Sequence, residues 1–291
     1  MSSRWHFAAG SLGAAHDEPV RIAPERAGWR YAGLRVLRLA PGERRREVTG
    51  DSEMLVLPLS GGCTVELEGN VFELHGRDGV FTGITDFAYL PPGLSVVLHS
   101  TRGAELALPS ARAERRRAAY YVPSPDVPVE VRGAGRATRQ INNLFTAGNS
   151  EAQRLAVVEV LAPGGNWSSY PPHKHDERTD SGEEELEEIY YFRIGGRHGF
   201  GLHRTYTTDG ELDETVTVRD GDVFLVPRGY HGPCIAAPEF PMYYLNVLAG
   251  PGSERRLGFS DDPAYAWVRS SWADQERDPR VPLVRAPEVV R

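Results

Sequence analysis

The chain has 291 residues, with 33 Lys and Arg against 40 Asp and Glu and a net charge of −7. That acidity excludes a nucleic-acid binder or an anionic-membrane binder as the reading of the whole chain. A content of 40% hydrophobic and 25% charged residues excludes wholesale disorder.

No apolar stretch reaches the roughly 18 residues of a membrane span. Residues 1–10 (MSSRWHFAAG) lack the basic-then-apolar order of a signal peptide. The expected location is the cytoplasm, with Cys63 and Cys234 as two buried, reduced thiols. Gly (31) and Pro (22) together stand well above the usual level of roughly 12%, which suits short strands and turns and argues against a helical bundle.

Residues 1–28 read as an arm or edge strand. From Trp29 a series of short apolar runs follows: LRVLRLAP, EMLVLPLSG, CTVELEG, NVFELHG, FAYLPPG and LSVVLHS. Each ends in Gly, Pro or Ser, and Thr64 to Glu68 alternate, as strands of a sandwich or barrel do. The basic run 111–119 reads as a solvated face or linker. The three prolines of PSPDVPVE, residues 123–130, forbid a helix interior there.

A second series starts near Leu155: LAVVEVLAP, EEIYYFRI, GFGLHRTYT, ETVTV, DVFLVP and MYYLNVLAG. Its cues repeat the first. Ala40-Pro41-Gly42 answers Ala162-Pro163-Gly164, Glu53 answers Glu188, and Pro92-Gly93 answers Pro227-Arg228-Gly229. This predicts an internal duplication: an all-β chain of two side-by-side barrels, residues 1–120 and 121–291. In the tail, Asp262-Pro263 predicts a short helix over residues 263–276, with Tyr265, Trp267 and Trp272 packed on a barrel wall.

Chemistry concentrates between Gly165 and Gly250. In His173-Lys174-His175 the two imidazoles share one face of a strand and can hold one ion. Glu188 opens a strand that puts Tyr190 and Phe192 on its own face. A strand ending at Pro227-Arg228-Gly229 delivers His231. Three imidazole nitrogens and one carboxylate oxygen form a mixed site suited to Zn, Mn, Fe or Ni, with positions left for water or substrate. Lys174 is the single lysine beside 32 arginines, a candidate for a place where a planar fork does not fit. Strand alternation points it away from the ligands, to pair with a carboxylate unless a bulge turns it inward.

These motifs resemble the two-part metal motif of the cupins: HxH, then Glu, then G(x5)PxG and a final His. The stretch between His175 and Glu188 is longer than the usual cupin spacing, which leaves Glu187 as the second choice of carboxylate. GNWSSYPPHKHD, LEEIYYF, Arg204-Thr205-Tyr206, LDETVTVRDGDVFLVPRGYHG and YYLNVLAGP together are similar to the 5-deoxy-glucuronate isomerases of myo-inositol catabolism. These are bicupins related to the 5-keto-4-deoxyuronate isomerases.

The resemblance implies one divalent metal ion and an aldose–ketose isomerisation of 5-deoxy-D-glucuronate to 5-dehydro-2-deoxy-D-gluconate. In the first half no His-x-His precedes Glu53 and only His99 lies near the Pro-Pro-Gly turn, so that barrel reads as a metal-free structural partner. The candidate catalytic residues are Tyr190 as proton donor or sugar contact, Lys174, and Arg204 as anchor of the uronate carboxylate, with Arg193 and Arg228 behind it. The expected partner is a small uronate, with no nucleic acid or membrane, and a homo-oligomer is compatible. The competing readings are a bicupin dioxygenase using Fe or Cu, and a sugar-acid-binding bicupin without turnover.

Overall fold

The structure, a computed structural model, describes residues 3–252 and 255–287. Nearly every apolar run becomes a strand. The largest sheet follows the order Tyr120–Val122, Phe87–Leu90, Ser52–Leu67, Ala104–Arg112, Ala32–Leu39, Val20–Ile22. Glu43–Val48, Asn70–Arg77 and Ser95–Ser100 complete it. The runs EMLVLPLSG and CTVELEG, separate in the sequence reading, form one 16-residue strand. Its register slips twice, between Pro58 and Ser60 and between Gly61 and Cys63. A Cβ on Gly62 would stand 2.5 Å from the Leu74 carbonyl oxygen, so only glycine lets the strand bend onto Asn70–Arg77.

The second series builds a seven-stranded sheet in the order His6–Phe7, Val223–Val226, Glu187–Ile194, Met242–Ala249, Ala156–Ala162, Arg139–Phe145, Val129–Arg132. Five successive strands, from Val223–Val226 to Arg139–Phe145, repeat the order of the five from Phe87–Leu90 to Val20–Ile22. The arm at His6–Phe7 extends this second sheet rather than the first. A six-stranded sheet centred on Gly201–Tyr206 and Tyr230–Ala236 completes the second half.

Strand alternation sorts the side chains. Ile189 and Tyr191 pack with Leu55, Leu57 and Leu34 in an apolar layer between the two halves. Tyr190 and Phe192 point the other way, into a core with Phe224, Cys234 and Tyr244. In the first half the corresponding interior is filled by Met54, Val56, Leu106, Leu108 and their neighbours.

Polar pins join the halves. Glu53 accepts the backbone N–H groups of Gln153, Arg154 and Leu155 at 2.7–2.9 Å. Glu187 accepts those of Arg30, Tyr31 and Ala32 at 2.6–2.9 Å. Each carboxylate sits at the start of its strand and holds the segment that leads into a strand of the other half. The counterpart of Glu53 is therefore Glu187, not Glu188 as the cue order suggested.

The tail is less helical than expected. Asp262 Oδ1 accepts the Ala264 N–H at 2.9 Å, but regular helix covers only Val268–Ser271. Trp267 is 64% exposed and does not pack on a wall. Cys63 and Cys234 are buried and free. No helix of the described residues is long and apolar enough to cross a membrane.

Candidate metal centre

Three elements converge inside the second half. His175 follows the short strand His173–Lys174, Glu188 lies on Glu187–Ile194, and His231 lies on Tyr230–Ala236. One ligand atom from each of His175, Glu188 and His231 lies within 4.8 Å of the others, and all three residues are buried. The His175 Nε2 stands 2.9 Å and the His231 Nε2 3.0 Å from the same oxygen, Glu188 Oε2.

His173 is outside this tight group. It pairs across strands with His231, and the two rings are 4.5 Å apart. Its Nδ1 lies 3.2 Å from the Pro171 carbonyl, and the His175 Nδ1 lies 3.0 Å from the Leu186 carbonyl. A carbonyl only accepts, so each Nδ1 carries the proton and each neutral ring keeps its lone pair on Nε2.

This cluster fits a cation. In neutral His175 the Nε2 lone pair faces a carboxylate oxygen, a repulsive contact unless a proton or a metal lies between them. Neither buried ring nitrogen of His231 makes an aligned hydrogen bond, although Nε2 lies 3.0 Å from Glu188, and ligation would relieve the nitrogen that faces that carboxylate. Two or three imidazoles with one carboxylate suit a borderline divalent ion better than Ca or Mg, which prefer oxygen.

The electrostatics agree with that fit. Burial would raise the Glu188 carboxyl, but the neighbouring His231 and His175 outweigh it and hold the group well below the usual range. Burial pulls His231 and His173 down. His175 is raised, because its hydrogen bond to Glu188 overcomes the same burial.

Glu187, the second choice of carboxylate, faces the opposite side of the strand and is engaged with residues 30–32. Tyr190 does stand beside the cluster, its ring 6.1 Å from that of His231. Its hydroxyl and that of Tyr244 each lie 3.1 Å from Ser169 Oγ. Burial, aided by the charge of Glu188, pushes the Tyr190 phenol well above its ordinary value, so it keeps its proton. Ser169 holds a left-handed backbone (φ 46), a strained conformation for a serine and one that sequence reading passed over.

Two of the candidate catalytic residues lie outside the cavity of the histidines. Arg204 lies on the far face of the six-stranded sheet, beside Trp167, Tyr170 and Tyr265, and does not line the cavity of the histidines. Its fork is taken by Asp213 at 2.9 Å and lies over the Tyr206 ring. Arg193 and Arg228 are likewise held by Glu105 and Asp220, and by Glu211.

Lys174 points away from the cluster, as strand alternation leads one to expect. Its ammonium donates to Asp176, Glu177 and Glu183 at 2.6–2.9 Å. It fastens the long insertion between the ligands, and Asp176 in turn accepts the Gly229 N–H at 2.7 Å, next to the turn that presents His231. These contacts hold its ammonium away from the imidazoles.

The cavity at the cluster has a volume of about 170 Å³. His173, His175, Glu188 and Tyr190 line one part of it, and Arg139, Asn246 and Phe259 line others. Arg139 was missed because one arginine among 32 carries no signal in a sequence. Its position at the head of a strand with inward-facing Ile141 and Asn143 was the only hint.

A family model described as the KduI/IolB family matches residues 8–268. The chain belongs to the KduI/IolB family. Among its relatives, this family member is 42% identical to the 5-deoxy-glucuronate isomerase of Geobacillus thermodenitrificans over 254 residues, 87% of this chain and 91% of that protein. It is 36% identical to the 5-deoxy-glucuronate isomerase of Bacillus subtilis strain 168, over 82% of this chain and 88% of that one.

Among solved structures, an IolB-like protein from Salmonella typhimurium LT2 superposes with a TM-score of 0.85 at 32% identity, covering 91% of this chain and 99% of that chain. The oxalate decarboxylase of Lactobacillus farciminis reaches a TM-score of 0.64 at 12% identity, over 90% and 89% of the two chains. That last likeness is one of fold alone, and it agrees with the mostly β, cupin-type architecture expected from the motifs.

Proposed function

We propose that this protein is a metal-dependent 5-deoxy-glucuronate isomerase. It would convert 5-deoxy-D-glucuronate to 5-dehydro-2-deoxy-D-gluconate in the breakdown of myo-inositol, in the cytoplasm. The relatives' activity supports the reaction. The single observation that carries the chemistry is the convergence of two buried imidazoles on one buried carboxylate oxygen.

His175, Glu188 and His231 would hold one divalent ion, Zn, Mn, Fe or Ni. His173 would complete the set through its free Nε2. Such an ion, when bound, polarises a carbonyl and stabilises the enediolate charge of the isomerisation. The residues around it set the rest. Leu186 and Pro171 orient two of the rings through their Nδ1 protons. Tyr190, kept protonated, would donate a hydrogen bond to a substrate oxygen. Ser169 and Tyr244 steady its hydroxyl.

The repeated strand order and the reciprocal carboxylate pins support two barrels, with residues 1–120 as the metal-free partner and 121–291 as the working half. The apolar filling around Met54 and Leu106 supports the structural role of the first.

NMR of 5-deoxy-D-glucuronate incubated with the protein tests this reading. The expected result is appearance of the ketose without uptake of O₂. Oxygen consumption would indicate a dioxygenase. Stabilisation by a uronate without turnover would indicate a binding protein.

A further inference from the structure

Arg139 is 4% exposed and lines the cavity of the histidine–glutamate cluster. Its one protein acceptor among the described residues is the Ala137 carbonyl, 3.0 Å from Nη1. No carboxylate of the described residues pairs with it. The guanidinium instead lies 5.5 Å from the centre of the Trp272 ring.

Its neighbours deepen the imbalance. Arg132 stands directly opposite it on the adjacent strand. Like charges in that position repel. Glu130 takes the Arg132 fork with two bonds of 2.8 Å, and Asp261 takes that of Arg269. Both of these cations thus have their own carboxylate, and among the described residues Arg139 has none. A buried guanidinium without a counter-ion is costly, and here burial pulls its pKa down to about 10.

A second polar group lining this cavity is also unsatisfied. Asn246 Nδ2 is buried and has no hydrogen-bond partner. Asn246 pairs with Tyr190 across the adjoining strands, so the amide is next to the cluster.

We infer that Arg139 is the missing anchor for the substrate's carboxylate, with Asn246 donating to an oxygen between that carboxylate and the reacting carbons. The inference rests on the isomerase reading of the same cavity and adds an orientation to it. The aldehyde end lies at His175, Glu188 and His231, and the acid end lies at Arg139. A planar fork suits a carboxylate with two parallel bonds. A neutral aldose leaves the guanidinium unpaired and is rejected for that reason.

Calorimetric titration of the full chain with D-glucuronate and with D-glucose tests this without turnover. The titration is run on the protein as purified and after treatment with chelator. The expected result is a preference for glucuronate of about 100-fold, the loss typical of leaving a buried charge unpaired. Arg139→Gln erases the preference, while metal content and melting temperature do not fall. Arg139→Lys recovers part of it, since it keeps the charge without the fork. Chelator leaves the preference in place.

A preference that survives Arg139→Gln but vanishes with chelator puts the carboxylate on the metal and overturns the inference. A melting temperature lowered by Arg139→Gln with the preference intact makes Arg139 a structural residue and overturns it too. Arg139-dependent binding in a chain that does not isomerise 5-deoxy-D-glucuronate defeats the isomerase reading alone. Isomerisation indifferent to Arg139→Gln defeats the anchor alone.

Discussion

At the scale of single residues, Lys174 is the one lysine beside 32 arginines. Its ammonium draws three carboxylates onto one nitrogen, whereas Arg45, which also reaches three, spreads them over the separate nitrogens of a planar fork. Lys174→Arg is expected to lower the melting temperature by about 2–4 °C. It should weaken metal binding about 10-fold and leave turnover at saturating metal unchanged. Melting curves and metal titration check this, and a variant identical to the parent in both would reduce the count to coincidence. The residues of the cluster were legible because HxH, Glu and the turn-borne His are few and spaced by strand geometry. The proposed anchor was not legible. Arg204 and Arg139 have the same chemistry in sequence, and only the structure shows one fork taken by Asp213 and the other with no carboxylate.

At the scale of elements, the strand Val20–Ile22 ends the path of the largest sheet, and such edges need protection. Arg21, Arg35 and Arg45 all reach the buried Glu18, just before this strand. Burial would raise the Glu18 carboxyl, but hydrogen bonds from Arg21 and Arg35 outweigh it and bring it down to about 2. A depressed carboxylate stabilises fully above its unfolded value of about 4.5, and that stabilisation disappears as pH falls towards 2. Glu18→Gln should therefore cost about 3 kcal/mol at pH 7 and almost nothing near pH 2. Denaturant melts at both values measure it, and an equal loss at both would refute the ion-pair origin. The strands themselves were readable from alternation and from Gly and Pro. The single strand Ser52–Leu67 was not, because Pro58 and the glycine pair mark an end in sequence but a bulge in space. The tail helix was also overread: its capping signal is real, but residues 263–276 bury little beyond Val268 to hold a longer helix.

At the scale of the whole molecule, the duplication visible in sequence returns as a repeated strand order, and the halves hold each other by reciprocal carboxylates, Glu53 and Glu187. Each satisfies three backbone N–H groups of the opposite half. Glu53→Gln and Glu187→Gln should each cost about 2 kcal/mol, and the double variant should broaden or split the calorimetric unfolding peak. A single sharp peak at the parent temperature would contradict that coupling. Sequence reading paired Glu53 with Glu188 because adjacent glutamates look alike, whereas a one-residue step on a strand reverses the face. Glu187 therefore joins the halves and Glu188 meets the imidazoles. On that one carboxylate the proposed function depends. The most direct test is to strip the protein with chelator and add a divalent metal back in steps, following conversion of 5-deoxy-D-glucuronate by NMR in the parent and in Glu188→Gln. The expected result is no turnover in the stripped protein, recovery that levels off at one ion per chain, and at least a 100-fold deficit in the variant. Full turnover by the stripped protein, or by Glu188→Gln, would contradict a metal-dependent isomerase built on His175, Glu188 and His231.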